Sequence, residues 1–248
     1  MSNSNKKTIL LVVWLALLGG LFVGITRLNN LATEPGKTPP PSLPIDLATI
    51  QRRWPDILGL AAGPRRGDPQ ARYTLVEFGD FQCPQCGQAR PILEGLLQQA
   101  PTQVNLLFFH RPFPNIHKWA IPTAEASEAA AAQGKFWPMY DTLYAHQNDL
   151  GSGRYGGYAS EIGLDPKAFE AALASHRYRE QVVKAAQLAD ALGITVTPTL
   201  LLRNNTTGEI TPYAGIDSTM PGSVPGIQGI KQLAAAPPWR ASPKTARR

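Results

Sequence analysis

Apolar residues fall along this chain in patterns that change from one stretch to the next. Residues 9–25 are apolar throughout, and no charge interrupts them before Arg27. That length reaches the shorter end of the roughly 17–25 residues that cross a bilayer. Residues 73–78 form a compact apolar run and read as a buried strand. Residues 88–97 follow with helical spacing, and residues 104–109 make a second apolar strand. A β-α-β unit of this kind is predicted to be right-handed, with its two strands parallel.

A long helical region comes next. Residues 123–133 are rich in alanine, the strongest helix former, and stop at Gly134. Phe136, Met139, Tyr140, Leu143 and Tyr144 continue at helical spacing. Residues 151–157 hold four glycines and read as a flexible loop. Asp165 and Pro166 are a cap and a first-turn residue, with Phe169 and Leu173 on one face of the helix they start. Helical character resumes through Val182, Ala186, Ala189 and Leu192 and ends at Gly193. Residues 199–202 and 209–214 then read as strands joined by a hairpin loop at 204–208, and residues 227–236 as a last helix. The order β-α-β, helices, β-β-α predicts an α/β domain with a mixed four-stranded sheet and a helical insertion.

The ends read differently from the middle. Lys6 and Lys7 before the apolar run favour a cytoplasmic N-terminus and an exported remainder. A cleaved signal peptide is the competing reading, but its apolar core is usually shorter, roughly 7–15 residues. The flank from Arg27 to Thr33 offers only a weak cleavage site, so an uncleaved anchor is favoured. Residues 34–44 are proline-rich and predict a semi-rigid extended spacer. Residues 46–62, with Trp54, Ile57 and Leu58, predict a short helix leading in, and the turn-rich residues 63–69 open the domain. The expected organisation is an anchor at 1–28, a linker and lead-in at 29–62, a domain at 63–236 and a basic tail at 237–248.

Charge changes this picture little. Lys and Arg total 24 against 18 Asp and Glu, a formal +6 over 248 residues. Part of the excess sits at the termini (Lys6, Lys7, Arg240, Lys244, Arg247 and Arg248), where a solvated tail explains it. No basic stripe interleaves with aromatics, so a nucleic-acid partner is not expected.

Cysteine usage changes it more. The only two cysteines, Cys83 and Cys86, are spaced Cys-x-x-Cys between the first strand and its helix. The first turn of a helix leaves backbone N–H groups unpaired and partly positive. A thiolate at Cys83 is stabilised there, and the thiolate is the species that attacks disulfides. Pro84 suits that turn because its missing N–H costs nothing, and Cys86 faces the same side. As a structural staple the pair closes too short a loop to gain much. A zinc site needs about four ligands, and none of His110, His117, His146 and His176 is paired with another in spacing. Dithiol–disulfide chemistry is therefore the first reading, with metal binding and an inert pair as alternatives.

Residues 76–86, 134–137, 161–165 and 192–199 occur in the order found in a known family. Together they resemble the DsbA-like thiol:disulfide oxidoreductases, in the membrane-anchored bacterial branch with a single thioredoxin-like domain. The resemblance covers roughly residues 63–235. It implies a thioredoxin-like fold with a helical insertion, preceded by an N-terminal transmembrane helix. It implies that Cys83 is the nucleophile and Cys86 the resolving thiol, and that the Thr197–Pro198 bond is cis beside them. An ordinary proline at a strand start is the alternative for Pro198.

In that family the loop before the proline presents unpaired backbone groups, here at Val196 and Thr197, to which an extended substrate pairs as an added strand. Pro84 and Gln85 complete the expected substrate-binding set. Glu77 matches a buried acid that relays the Cys86 proton; a carboxylate at a strand edge facing water is the alternative. Phe81 and Trp137 are read as core or groove walls, and His110 and His117 as structural or surface residues. One departure stands out. The strongest oxidants of the family carry histidine between the cysteines, whereas Pro84 and Gln85 are neutral, which predicts a milder oxidant.

The function expected is disulfide formation in exported proteins. No cofactor is expected. The partners are unfolded or reduced substrates and a membrane redox protein. The location is the inner membrane, spanned once through residues 9–25, with the catalytic domain on the periplasmic or extracellular side. A reductase or isomerase of the same compartment, a metal-delivery protein and a non-catalytic chaperone are the alternatives.

Overall fold

The computed structural model describes residues 45–151, 154–214 and 228–240. The predicted anchor, the proline-rich spacer and the last eight residues lie outside these. Among the described residues, no helix is long and apolar enough to cross a membrane.

Two short helices come first, α1 (Leu47–Arg52) and α2 (Trp54–Leu60). Strand β1 (Ala62–Arg66) precedes strand β2 (Tyr73–Gly79), helix α3 (Pro84–Gln99) and strand β3 (Val104–His110). Helices α4 (Ala120–Ala131), α5 (Phe136–Ala145), α6 (Tyr155–Glu161), α7 (Pro166–Ala174) and α8 (Arg179–Ala191) make the helical region. Strands β4 (Thr199–Asn204) and β5 (Ile210–Ala214) and helix α9 (Gln228–Ala235) close the fold.

Among the described residues the sheet has five strands, in the order β1-β3-β2-β4-β5. Only β2 and β3 run parallel; the other pairs are antiparallel. This corrects the four-stranded expectation. The fifth strand, β1, lies in the stretch read as a turn because of Gly63 and Pro64. It is an edge strand whose register with β3 is interrupted between Ala62 and Arg66. Edges and bulges are where strands tolerate proline and glycine. Gly63 adopts φ +63°, and a Cβ there would lie 2.4 Å from Cγ of Phe136.

Every residue of β2 and β3 is buried, because helices cover both faces of the sheet. Val76 and Phe78 face one way, with Leu107, Phe109 and Leu201. Tyr73 and Leu75 face the other, with Leu93, Leu96, Leu106 and Leu200. The two-residue period of a strand puts Glu77 on this second face, where the helical insertion packs.

The lead-in is part of the core. Residues 46–62 form two helices rather than one, and Ile50, Trp54 and Ile57 are buried against Val76, Phe78 and α8. The loop predicted at 151–157 is already helical from Tyr155. Asp165 caps α7 as expected, accepting from the Lys167 and Ala168 amides at 2.9 and 3.3 Å. The start of the expected basic tail makes a short turn at Pro238–Arg240, with Trp239 packed 5.6 Å from the Tyr73 ring.

Ile57→Ala is expected to lower the unfolding free energy by about 2–5 kcal/mol, the usual cost of emptying a fully buried aliphatic site. Urea denaturation followed by fluorescence measures it. A loss below about 1 kcal/mol would mean that α2 is not part of the cooperative core.

Candidate active site

The cysteine pair sits where β2 runs out and α3 begins. Gly79 ends β2 close against Phe108, where a Cβ would come within 2.4 Å of the ring. Phe81 then turns inward and stacks on Phe108 with ring centroids 5.1 Å apart. Cys83 is the N-cap residue of α3, with Pro84 in the first turn as expected. Its carbonyl accepts the Cys86 amide at 3.1 Å and the Gly87 amide at 3.3 Å. A third donor, Nε2 of Gln147, reaches the same carbonyl at 2.7 Å and that of Phe81 at 2.8 Å.

Both cysteines are free thiols, and they differ in exposure. Cys83 keeps 6% of its surface and Cys86 none. Their acidities differ in the same sense. Cys83 is lowered to about 6, first because the Cys86 thiol donates to it, then through Thr197 and the backbone amides of Cys86 and Gln85, against the cost of burial. Cys86 is pushed well above its ordinary value by burial, then by its hydrogen bond to Cys83 and the charges of Cys83 and Glu77. The partner thiol thus outweighs the helix terminus that the sequence pointed to.

The loop before β4 faces the pair. The Thr197–Pro198 bond is cis, and Pro198 is buried. The Cys83 Sγ–H donates to the Thr197 carbonyl at 3.4 Å. The Val196 carbonyl accepts from the Thr199 hydroxyl at 2.8 Å. Both carbonyls of this loop are therefore engaged, which corrects the expectation of wholly unpaired backbone. The Val196 and Thr197 amides have no partner among the described residues. Arg111 ties this loop to the sheet: its Nε donates to the Ile194 carbonyl at 2.8 Å and its guanidinium pairs with Asp190 at 2.5 Å.

Cys83, Pro84, Gln85, Val196 and Thr197 line one open groove of about 410 Å³, with Phe113, Ile116, His117 and Thr195. Cys86 and Glu77 lie behind it, fully buried. The water-facing alternative for Glu77 is thereby excluded. Its Oε2 accepts from the Tyr140 hydroxyl at 2.8 Å, and Oε1 has no partner among the described residues. Burial raises Glu77 to about 8, the Tyr140 hydrogen bond opposes that rise, and the Cys83 charge adds to it. His110 is structural, buried 3.0 Å from Glu128. His117, read as a structural or surface residue, forms part of the groove wall.

Several supporting residues gave no usable signal in the sequence. Tyr140, Arg111 and Gln147 act here through contacts 63 to 83 residues apart in the chain. Asp80 stands inside the quoted motif, but only the folded loops reveal its partners.

Comparison with known proteins gives a consistent picture. The family model described as Thioredoxin matches residues 61–219. The solved structure of DsbA2 from Pseudomonas aeruginosa is 29% identical, with a TM-score of 0.52, covering 64% of this chain and 89% of that one. That of BdbD from Bacillus subtilis is 23% identical, with a TM-score of 0.55, covering 70% and 91%, and shows the fold alone. A protein of Salinispora arenicola named Na(+)/H(+) antiporter NhaA 1 is 39% identical over 137 residues, which are 55% of this chain but only 21% of that protein. The chain thus spans about a fifth of the length of such curated relatives, and their name describes much longer proteins.

Two outcomes test the electrostatics. In the reduced protein, alkylation of Cys83 should reach half its maximal rate near pH 6, while Cys86 stays inert until well above its ordinary range. Mass mapping of the alkylated sites reports both; equal reactivity of the two thiols would refute the asymmetry. Tyr140→Phe removes the donor that favours the ionised Glu77, so the Glu77 pKa should rise from about 8 by roughly one unit, ~1.4 kcal/mol. Infrared titration of the carboxyl band reads that shift, and a fall would reverse the assignment.

Proposed function

The chain belongs to the thioredoxin family, in its DsbA-like branch, and from that premise we propose that it is an exported enzyme that forms disulfides in other proteins through Cys83 and Cys86. The observation that carries this reading is the asymmetry of the pair. The thiol on the groove wall favours the thiolate, and the thiol behind it favours the protonated form. That is the arrangement in which one sulfur exchanges with a substrate while the other waits.

In the oxidised enzyme the two sulfurs are joined. A substrate thiolate attacks Cys83 Sγ, forming a mixed disulfide, and the electron pair of the broken bond leaves on Cys86. Cys86 takes up a proton readily because burial disfavours its charge. Glu77, mostly protonated at neutral pH, lies buried near enough for its charge to act on Cys86 and is the proposed proton source. A second substrate thiol then attacks the substrate sulfur and releases Cys83 as a stable thiolate, a good leaving group. The substrate loses two electrons and the enzyme gains them. The groove supports an extended substrate: the Val196 and Thr197 amides remain for strand-like pairing, with Pro84 and Gln85 on the opposite wall.

A depressed Cys83 pKa stabilises the dithiol form and makes the disulfide more oxidising, by roughly 30 mV per unit. With neutral Pro84 and Gln85 between the cysteines, the proposed enzyme is a milder oxidant than relatives with histidine there. Residues 9–25 are proposed to anchor it in the inner membrane, with this domain on the periplasmic or extracellular side, where disulfides persist. A membrane redox protein is the proposed recycling partner. A metal-delivery role finds less support, since no group of three or more His, Cys, Asp or Glu forms an ion site among the described residues.

The purified protein should reactivate reduced, unfolded ribonuclease in a glutathione buffer and reduce insulin with dithiothreitol. Cys83→Ser should bring both rates down to the uncatalysed background. Turnover that survives Cys83→Ser would end the proposal.

A further inference from the structure

A disulfide-forming site must handle the substrate's sulfur as well as its own. A substrate thiol has an ordinary pKa near 8.5, so only about 3% of it is ionised at pH 7. Cys83 owes its thiolate to local hydrogen bonds, but an incoming thiol brings none with it. Pro84 and Gln85 offer no base. Among the groove-lining residues, the ionisable side chains are Cys83 and His117.

His117 is held in a specific way. Asp80, whose side chain is completely enclosed, opens the turn after β2. Its Oδ1 accepts the Gln82 amide at 2.8 Å, and its Oδ2 accepts the Phe113 amide at 3.0 Å. Nδ1 of His117 lies 2.8 Å from the same Oδ2. Both carboxylate oxygens already accept a backbone N–H, so Nδ1–H is the donor to Asp80. In the neutral ring Nε2 is then a bare acceptor. It has no hydrogen-bond partner among the described residues, and the side chain keeps 17% of its surface open.

Asp80, just past the end of β2, holds the ring; Cys83, at the start of α3, lines the same groove; and Arg111, just past the end of β3, feels the Asp80 charge. The far wall, Thr195, Val196 and Thr197, carries no ionisable side chain. An imidazole on the same groove as the reactive sulfur, oriented by a buried carboxylate, supplies the base and orienter for a thiol that enters the groove.

We propose that His117, oriented by Asp80, is a catalytic acid–base residue that takes the proton from the substrate thiol in the groove. The inference rests on the thiol-exchange reading above. In the step that releases product, Nε2 accepts the proton of the second substrate thiol. The thiolate so formed attacks the substrate sulfur of the mixed disulfide. A substrate S–S bond forms, the bond to Cys83 breaks, and its electron pair leaves on Cys83 Sγ. The imidazolium then loses its proton to solvent. The oxidant is the enzyme's own disulfide, and the substrate's two thiols are what is oxidised.

The test is a single-turnover reaction of the oxidised full chain with a model dithiol peptide, followed from pH 5.5 to 9. The proteins compared are the parent, His117→Asn and His117→Ala. Asparagine keeps an N–H for Asp80 but has no titrating nitrogen, so it separates orientation from proton transfer. At pH 6.5 an ordinary thiol is about 1% ionised, so general-base help is worth at most about 100-fold. His117→Asn should be slower than the parent by roughly 10- to 100-fold at pH 6.5. The two should converge near pH 9, where about three-quarters of the peptide thiol ionises unaided. The Cys83 thiolate titration of reduced His117→Asn should match the parent. A pH profile parallel to the parent's, or a uniform loss that tracks a shifted Cys83 titration, would overturn the assignment. His117→Ala should show the same converging profile; if only this variant is impaired, the residue merely holds the loop and the proposal fails. Absence of Cys83-dependent exchange in the parent would overturn this inference together with the functional reading.

Discussion

The antiparallel pairing of β2 with β4 is what the site depends on. Phe78 lies opposite Thr199 in that ladder. The residues just past the end of β2 and just before the start of β4 must therefore meet, and these are the cysteine turn and the cis-proline loop. Cys83 and Thr197 are 114 residues apart in sequence and in contact in space. A slip of one residue would turn every side chain of β2 to the opposite face of the sheet. Burial of β2 on both faces makes such a slip costly. The register, more than any single contact, places a thiol against a substrate-binding edge.

Around that junction the titratable groups shift in opposite directions. Cys83 goes down while Cys86, Glu77 and Tyr140 go up, each mainly through burial except Cys83, where a neighbouring donor wins. Such groups titrate as a set, because ionising one raises the cost of ionising the next. Proximity lets Cys83 hold the negative charge while the groups behind it stay neutral. The Tyr140 hydroxyl on Glu77, whose second oxygen has no partner among the described residues, keeps that carboxyl within reach of ordinary pH rather than locked in its neutral form.

The strands and helices that carry the cysteines were legible because their apolar periods are long and uninterrupted. The Asp165 cap was legible because its signal is local. Strand β1 was not, because Gly63 and Pro64 have the composition of a turn and only a sheet edge makes them a strand. The lead-in was read as one short helix ahead of the domain, since nothing in Ile50, Trp54 and Ile57 says which surface covers them. The Cys83, Pro84, Gln85, Val196 and Thr197 groove followed from resemblance and adjacency. Asp80, His117, Arg111 and Gln147 did not, since a polar residue announces its partner only once distant segments are folded together. For the same reason the Thr199 hydroxyl on the Val196 carbonyl could not be foreseen.

Gln147 belongs to the short turn after α5, yet it spends one amide nitrogen on the carbonyls of Phe81 and Cys83. Helix α3 approaches it so closely that a Cβ on Gly87 would meet the Gln147 side chain at 2.4 Å. The helical insertion is thereby fastened to the redox turn by a contact that neither can release alone. Amide-exchange protection at the start of α3 should then follow the opening of the insertion, so that the helical insertion sets how long the reactive sulfur stays in register.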